Sequence, residues 1–316
     1  MIEKPWIGVS EAHQRLLELL DRVAPADVEL LFHGETGVGK EQYARYAHHK
    51  SARRDGPFVA VNCGAIPPDL FENELFGHVG GAFTGARMRA SGLVEAAAGG
   101  TLLFDEVDAL APANQVKLLR LLQEKEYRRL GEARPQQANV RILAATNRDL
   151  VRAARAGQFR EDLMFRLRVV PIEVPSLRER RDDILPLLDA FTAWYANEYG
   201  FAPVSFSPEA RTRLLDYSWP GNVREIENLV RNLICVHAGK VIEATQLPLL
   251  GEAATERGAG AFKRAKSTVV AEFERKYLEE ALAAADGNIA AAARSSGKPR
   301  RVFFELMRKH GVVARR

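Results

Sequence analysis

Five short apolar runs punctuate the first part of the chain: Val28–His33, Phe58–Cys63, Thr101–Asp105, Val140–Thr146 and Val169–Val174. Helical patterns such as Lys40–Ala47 and Gln115–Glu124 lie between them. Strands that alternate with helices predict a parallel sheet with crossover helices, an α/β fold. From Asp182 to Leu250 the period changes. Apolar residues at Ile184, Leu187, Leu188 and Phe191, and again at Ile226, Leu229, Val230 and Leu233, recur at helical spacing and predict a small all-helical domain. Gly251–Ala261 (GEAATERGAGA) has the composition of a flexible linker, and a last helical module follows it. The expected units are 1–175 (α/β), 176–250 (helical), 251–265 (linker) and 266–316 (terminal module).

Composition narrows the class. The chain has 316 residues, 47% hydrophobic and 27% charged, which suits a soluble globular protein of two or three domains. No apolar run approaches the roughly 18–20 residues of a membrane helix, and Met1–Gly8 lacks the apolar stretch of a secretory signal. The two cysteines, Cys63 and Cys235, fall in apolar patterns and read as buried free thiols of a reducing cytoplasm. Charge is uneven along the chain. Phe262–Arg316 carries 13 Lys/Arg against 6 Asp/Glu, a net of +7, whereas the whole chain carries +4. A basic tail on a nearly neutral body points to a polyanion-binding module.

Gly34-Glu35-Thr36-Gly37-Val38-Gly39-Lys40 follows the first strand and opens a helix. Its glycines let backbone N–H groups close around phosphate oxygens, the helix N-terminus adds positive potential, and Lys40 reaches the β- and γ-phosphates. Glu41 stands where the general pattern has a Mg²⁺-binding Ser or Thr, which leaves the metal ligand set open. Thr101–Asp105 is an apolar strand ending in two carboxylates, with Asp105 placed for Mg²⁺ and Glu106 for polarising a water. Asn62 and Asn147 end two further strands; each amide either faces a γ-phosphate or caps the following helix. Arg160 and Arg166 stand six apart and could serve a neighbouring subunit's phosphates, while Arg224, in WPGNVR, could reach back across a cleft.

Gly81-Ala82-Phe83-Thr84-Gly85-Ala86 places one ring and one hydroxyl between glycines, which weaken helices and strands. It reads as a mobile loop that offers Phe83 and Thr84 to another molecule. In the tail, Val269–Ala285, Ile289–Ser296 and Arg300–His310 are helix-patterned around a Gly-containing turn, a helix-turn-helix candidate. Arg300 and Arg301 would meet base edges, and Lys298, Arg308 and Lys309 phosphates.

The stretches GETGVGKE, FVAVNC, ELFGHVGGAFTGA, GGTLLFDEVD, VRILAATNRDL, GQFREDLMFRL and WPGNVREIENL together resemble the AAA+ domain of bacterial enhancer-binding proteins, the activators of sigma-54 RNA polymerase. The tail, GNIAAAARSSGKPRR, resembles their Fis-type DNA-binding domain. The resemblance implies an AAA+ P-loop sheet with a helical lid, taking ATP and Mg²⁺. It implies Asn62 as switch partner of Glu106, Asn147 as γ-phosphate sensor, Arg160 and Arg166 acting in trans, and Arg224 sensing nucleotide from the lid. Phe83 and Thr84 would form the tip that touches sigma-54, supported by a second loop, Leu130–Asn139. The family tolerates Glu after the phosphate-loop Lys. Two departures stand out: Val79 replaces the usual Glu before the hexapeptide, and Met164 and Phe165 replace a customary Tyr pair.

The expected protein is therefore a cytoplasmic, ring-forming ATPase, hexameric by family habit, that binds upstream double-stranded DNA and remodels a closed promoter complex of sigma-54 holoenzyme. With about six residues before Ile7, no receiver domain is expected, and control by a separate partner protein is the matching expectation. The rival readings are another AAA+ protein remodeller and an ATP-binding repressor; Glu106, Arg160, Arg166 and Thr84 speak against the second.

Overall fold

The computed structural model describes residues 6–82, 88–248 and scattered positions between 278 and 307. Five strands, β1 (Leu30–His33), β2 (Phe58–Asn62), β3 (Thr101–Asp105), β4 (Arg141–Thr146) and β5 (Val170–Glu173), pair in parallel in the order β2-β3-β4-β1-β5. A wholly parallel sheet needs crossovers and so is covered on both faces, which explains why its strands read as unbroken apolar runs. Alternate residues divide between two cores. Leu30, Phe32, Leu103, Leu143, Ala145 and Ile172 enter one; Leu31, Leu102, Phe104, Ile142 and Ala144 enter the other.

Four helices matter for the site. α1 (Glu11–Val23) is N-capped by Ser10, whose side chain accepts from the His13 amide. α2 (Lys40–His49) opens directly from the glycine loop after β1. α3 (Pro112–Glu124) has proline at its start, where no amide partner is lost. α4 (Glu161–Leu167) buries Leu163, Met164 and Leu167 against the second core.

The lid is helical: α5 (Ile184–Tyr199), α6 (Pro208–Asp216) and α7 (Asn222–His237). All eight apolar positions expected to face its core are buried. One short parallel pair, Ser205–Phe206 with Val241–Ile242, ties the lid's loops together. Cys63 is buried as expected, and burial pushes its thiol well above the usual range. Cys235 is not; it is exposed. The buried stripe of α7 runs through Ile226, Leu229, Val230, Leu233 and Ile234, so residue 235 falls on the outward face.

The chain divides into two compact units, Met1–Pro248 and Leu249–Arg316. In the second, Leu278, Leu282, Ala292, Ala293 and Met307 form a small apolar core. The Asn288 amide donates to the Ala285 carbonyl and the Ala292 amide to Asn288, a turn followed by a helical start. The expected DNA-contacting residues Lys298, Arg300, Arg301, Arg308 and Lys309 lie outside the described residues.

Lid and sheet are joined through a buried carboxylate. Asp183, fully buried at the root of α5, accepts from the Val9 amide (2.6 Å), the Ser10 amide (2.7 Å) and the Ser10 hydroxyl (2.9 Å). Buried Arg180 lies 3.9 Å from it. Removing the carboxylate leaves the buried Arg180 charge without its counter-ion and two backbone amides without their acceptor. We expect Asp183→Ala to destabilise the Met1–Pro248 unit by about 3–5 kcal/mol, the range for breaking a buried ion pair. Denaturant unfolding followed by tryptophan fluorescence measures it; a loss under about 1 kcal/mol would contradict this role, since surface pairs cost that little.

Candidate active site

Register brings the functional side chains to one edge of the sheet. Asn62 pairs with Asp105 across β2 and β3, and His33 with Thr146 across β1 and β4. The carboxylates, Asn147 and the loop leaving β1 are thereby gathered at the strands' carboxyl ends, where open α/β sheets bind ligands. In that loop Gly37 (φ 81°) and Gly39 (φ 96°) take left-handed conformations open to glycine. Gly37 is doubly constrained, because a Cβ there would come within 2.3 Å of the Gly221 carbonyl of the lid. Gly39 has nothing within 4 Å of a built Cβ.

Lys40 donates from Nζ to the carbonyls of Gly34 (2.9 Å) and Glu35 (3.0 Å). Burial lowers its pKa, with Asp105 pulling the other way, and burial raises the pKa of Asp105. A partly desolvated ammonium gains from an anion, and a partly desolvated carboxylate from a cation. The residues therefore fit a polyphosphate with its Mg²⁺. Among the described residues no cluster of three or more His, Cys, Asp or Glu could cage a metal alone. Mg²⁺ is ordinarily held by one or two carboxylates plus substrate phosphates, and Asp105 and Glu41 are the candidates for that set. Glu41 lines the cleft, but Arg45 binds its carboxylate (2.6 and 2.9 Å), so Asp105 is the freer of the two metal candidates.

Glu106 adopts a left-handed φ of 52°, uncommon for a non-glycine residue and typical of strain kept at functional sites. A Cβ built on Gly64 would lie 2.9 Å from a Glu106 carboxylate oxygen and 3.3 Å from Asn62 Oδ1, so glycine at 64 leaves room for both. The two asparagines, equivalent in sequence, separate here. Asn62 Oδ1 accepts from the amides of Gly64 (2.8 Å) and Ala65 (3.2 Å), closing the turn after β2. Asn147 lines the cleft and donates to the Thr36 hydroxyl (2.9 Å). Beneath it, Thr146 donates to Asp108 (2.5 Å), which Arg148 also approaches (3.4 Å).

The lid grips the same loop. The Arg224 amide donates to the Gly37 carbonyl (3.3 Å), and the residue lines the cleft. Asn222 donates to Glu35 and to the Thr36 carbonyl (both 3.1 Å) and accepts from the Leu177 amide (2.7 Å). Arg178 binds Glu35 with two nitrogens (2.8 and 2.5 Å), and this guanidinium, helped by Asn222, pulls the carboxyl down to about 2. Val38 sits under the loop, fully buried. Away from the phosphate loop the cleft turns apolar, lined by Trp6, Ile7, Leu187, Phe191 and Val223. A polyanion socket continuous with an apolar slot suits a nucleotide. Arg178, Asn222 and the slot escaped sequence reading, since their partners lie far away along the chain.

Arg160 and Arg166 are not among the cleft-lining residues. Both are exposed, Arg160 pairing with Asp162 (2.7 Å), and Phe165 between them is 65% exposed. Gly81 (φ 81°) and Ala82 begin the expected contact loop, whereas Phe83, Thr84, Gly85 and Ala86 lie outside the described residues. Its stem is an antiparallel pair, Gly77–His78 with Ala90–Ser91. The second loop leans on that stem: the Val79 amide donates to Leu130 (3.1 Å) and Leu130 returns a bond to Gly77 (2.9 Å). A Cβ on Gly131 would press on Ala82 and Val79, at 2.8 and 3.0 Å, so the valine makes apolar contact here.

Three family models match in succession: the Sigma-54 interaction domain over residues 6–173, the AAA+ ATPase lid domain over 178–261, and the bacterial regulatory protein Fis family over 269–309. The chain is 43% identical to the transcriptional regulatory protein FlbD of Caulobacter vibrioides, covering 93% of this chain and 68% of that one. It is 50% identical to the sigma54-dependent transcriptional activator SfnR of Pseudomonas putida over 75% of this chain and 64% of that one. It thus spans about two thirds of these relatives' length. Among solved structures, NtrX from Brucella abortus in complex with ATP aligns with a TM-score of 0.74 at 33% identity, covering 98% of this chain and 70% of the other. The same protein in complex with ADP aligns at 0.72. With a cleft built for a nucleotide beside a two-loop stem, and with all three models in order, the chain belongs to the sigma-54-dependent transcriptional activators, AAA+ proteins with a helical lid and a Fis-type helix-turn-helix.

Proposed function

We propose that the protein hydrolyses ATP between neighbouring subunits of a ring and uses the cycle to remodel a closed promoter complex of sigma-54 RNA polymerase. One observation carries this reading: phosphate loop, Asp105, Glu106, Asn147 and Arg224 share a single cleft, while Arg160 and Arg166 are exposed outside it. Arg180 in this cleft is committed to Val38 and Tyr43, which leaves Arg224 from the lid; the further guanidinium groups that phosphoryl transfer wants can come from a neighbour's α4. Nucleotide binding by NtrX supports the assignment of the ligand.

In this reading the loop amides and Lys40 hold the β- and γ-phosphates. Asp105 would be the first protein group to hold Mg²⁺, with Glu41 joining only by releasing Arg45, and the ion would supply neutralisation of the charge that develops on the phosphates. Glu106 orients and deprotonates the attacking water, and Asn147 and Arg224 register the γ-phosphate from sheet and lid. Asn62 turns the chain beside Glu106 and serves as its switch partner. Thr84 and Phe83, within Gly81–Ala86, meet sigma-54. The terminal module binds upstream double-stranded DNA through Arg300, Arg301, Lys298, Arg308 and Lys309, its helical core at Leu278, Leu282 and Met307 supporting a folded reader. A hexamer, control by a separate regulatory protein, and a lid beginning at residue 176 belong to the same proposal. The same proposal places the protein in the cytoplasm, where its DNA is; among the described residues no helix is long and apolar enough to cross a membrane.

Transcription in vitro with sigma-54 holoenzyme tests the whole. Open complexes should form with ATP and not with a non-hydrolysable analogue; equal activity with both would overturn the reading. Thr84→Ala should abolish activation while leaving ATP turnover within about twofold, the size of a surface change remote from the chemistry; matched loss of turnover would count against a dedicated contact loop. Arg166→Ala and Glu106→Gln should each lower turnover by roughly 10³-fold, in line with removal of a phosphoryl-transfer arginine or its water-activating group. Mixing the two inactive variants should restore part of the activity, because some interfaces then pair an intact Arg166 with an intact Glu106. No recovery on mixing would place the arginines in cis.

A further inference from the structure

We propose that Glu227 selects adenine over guanine nucleotides; the inference rests on the nucleotide-site reading above. Glu227 lines the cleft, half-buried, from the inner face of α7. The cleft has a direction that the helices mark. Arg224 meets the phosphate loop at Gly37 through its backbone, so the start of α7 is the phosphate end. Glu227 stands one turn along, three residues beyond Arg224, and therefore faces the slot away from the phosphates. α5 runs through the same slot with Leu187 and Phe191, and its next inward residue, Tyr195, donates its hydroxyl to the Glu227 carboxylate. Tyr195 is buried, and the Arg231 guanidinium lies 5.4 Å over its ring.

An acceptor-only group is thus fixed beside the apolar residues of the slot; of the other polar side chains there, Arg180 is taken up by Val38 and Tyr43, and Gln42 stands two residues beyond Lys40. Adenine presents a 6-amino donor on its outer edge, whereas guanine presents a 6-oxo acceptor there. A carboxylate accepts from the first and repels the second. Rejection of the wrong base by an unpaired buried polar group is the strong form of discrimination, in contrast to apolar shape alone. Leu187, Phe191 and Val223 cannot distinguish two purines of nearly equal size, and Arg180 is committed to Val38 and Tyr43, so selection falls to the Glu227 carboxylate.

The test measures direct binding of ATP and GTP by competition against a fluorescent ADP, using the full chain. Wild type should prefer ATP. Glu227→Gln, whose amide can turn to donate to a 6-oxo group, should shrink the ATP:GTP preference by about tenfold, and Glu227→Lys should invert it. Tyr195→Phe, which removes one donor to the carboxylate and leaves the carboxylate in place, should shrink the ratio by less, and provides the reading if a Glu227 variant does not fold. An unchanged ratio in the folded variants, or a wild type indifferent to the base, overturns the proposal while leaving the ATPase reading intact. Failure of wild type to bind either nucleotide overturns the site reading itself.

Discussion

The buried guanidinium of Arg180 is the constraint on which the rest of the molecule depends. It donates to the Val38 carbonyl inside the phosphate loop (2.6 Å) and to the Tyr43 hydroxyl on α2 (2.9 Å), and lies beside Asp183. A charge removed from water costs several kcal/mol unless its donors are met, so loop, α2, N-terminal strap and lid root must come together at once. The same burial sets the proton order of the network. Burial pushes the His13 imidazole down, with Asp183 pulling the other way, and pushes the Tyr43 hydroxyl up to about 12. Arg180 donates to Tyr43, and Tyr43 shares a hydrogen bond with His13 Nδ1 (2.8 Å). Trp6 closes the cluster edge-on against both rings, which places one wall of the base slot on the same foundation.

Val38 lies between two left-handed glycines, whose backbone is freer than that of other residue types. Anchoring its carbonyl from the lid side converts that freedom into a fixed curvature. The remaining lid contacts act on the same few atoms: Gly221 against Gly37, Asn222 on the Thr36 carbonyl, Arg178 on Glu35. These contacts tie the lid to the loop at several neighbouring atoms. A ligand that fills the loop acts on lid position through backbone contacts, without needing a side chain of its own to pull.

The sheet was legible because a covered parallel strand writes itself as an apolar run. Leu102, Leu103 and Phe104 are buried in succession, two faces at once. Strand tips were legible for the same reason, since a polar residue after such a run marks the carboxyl edge. That logic found Asp105, Glu106 and Asn147, and it could not separate Asn147 from Asn62. Their difference lies in the partners within reach: Gly64 and Ala65 offer amides to Asn62, while Asn147 has Thr36 across the cleft. Arg178, Arg180, Asp183 and Asn222 lay beyond reach of pattern reading, because their partners stand 137 to 187 residues away in the chain. Cys235 shows the opposite failure. Its apolar neighbours suggested burial, but the helix stripe excludes it, and only the phase of the period decides.

Contiguity also links the chemical edge to the contact loop. The turn closed by Asn62 stands within van der Waals range of Glu106 through Gly64. From there the chain runs through Phe71–Phe76 to the Gly77–His78 stem, with Asn114 of α3 holding the Pro68 carbonyl (3.0 Å) and Lys117 pairing with Glu72 (2.6 Å). α3 thus braces the segment's middle, and Leu130 braces its far end. Between two braced points, a change in the turn can pass along the helix only as a rigid displacement, because a helix transmits axial motion and its packed side chains do not compress. Coupling in this sense requires the Asn62 turn to have two arrangements, and a left-handed Glu106 backbone is where a second one would be stored.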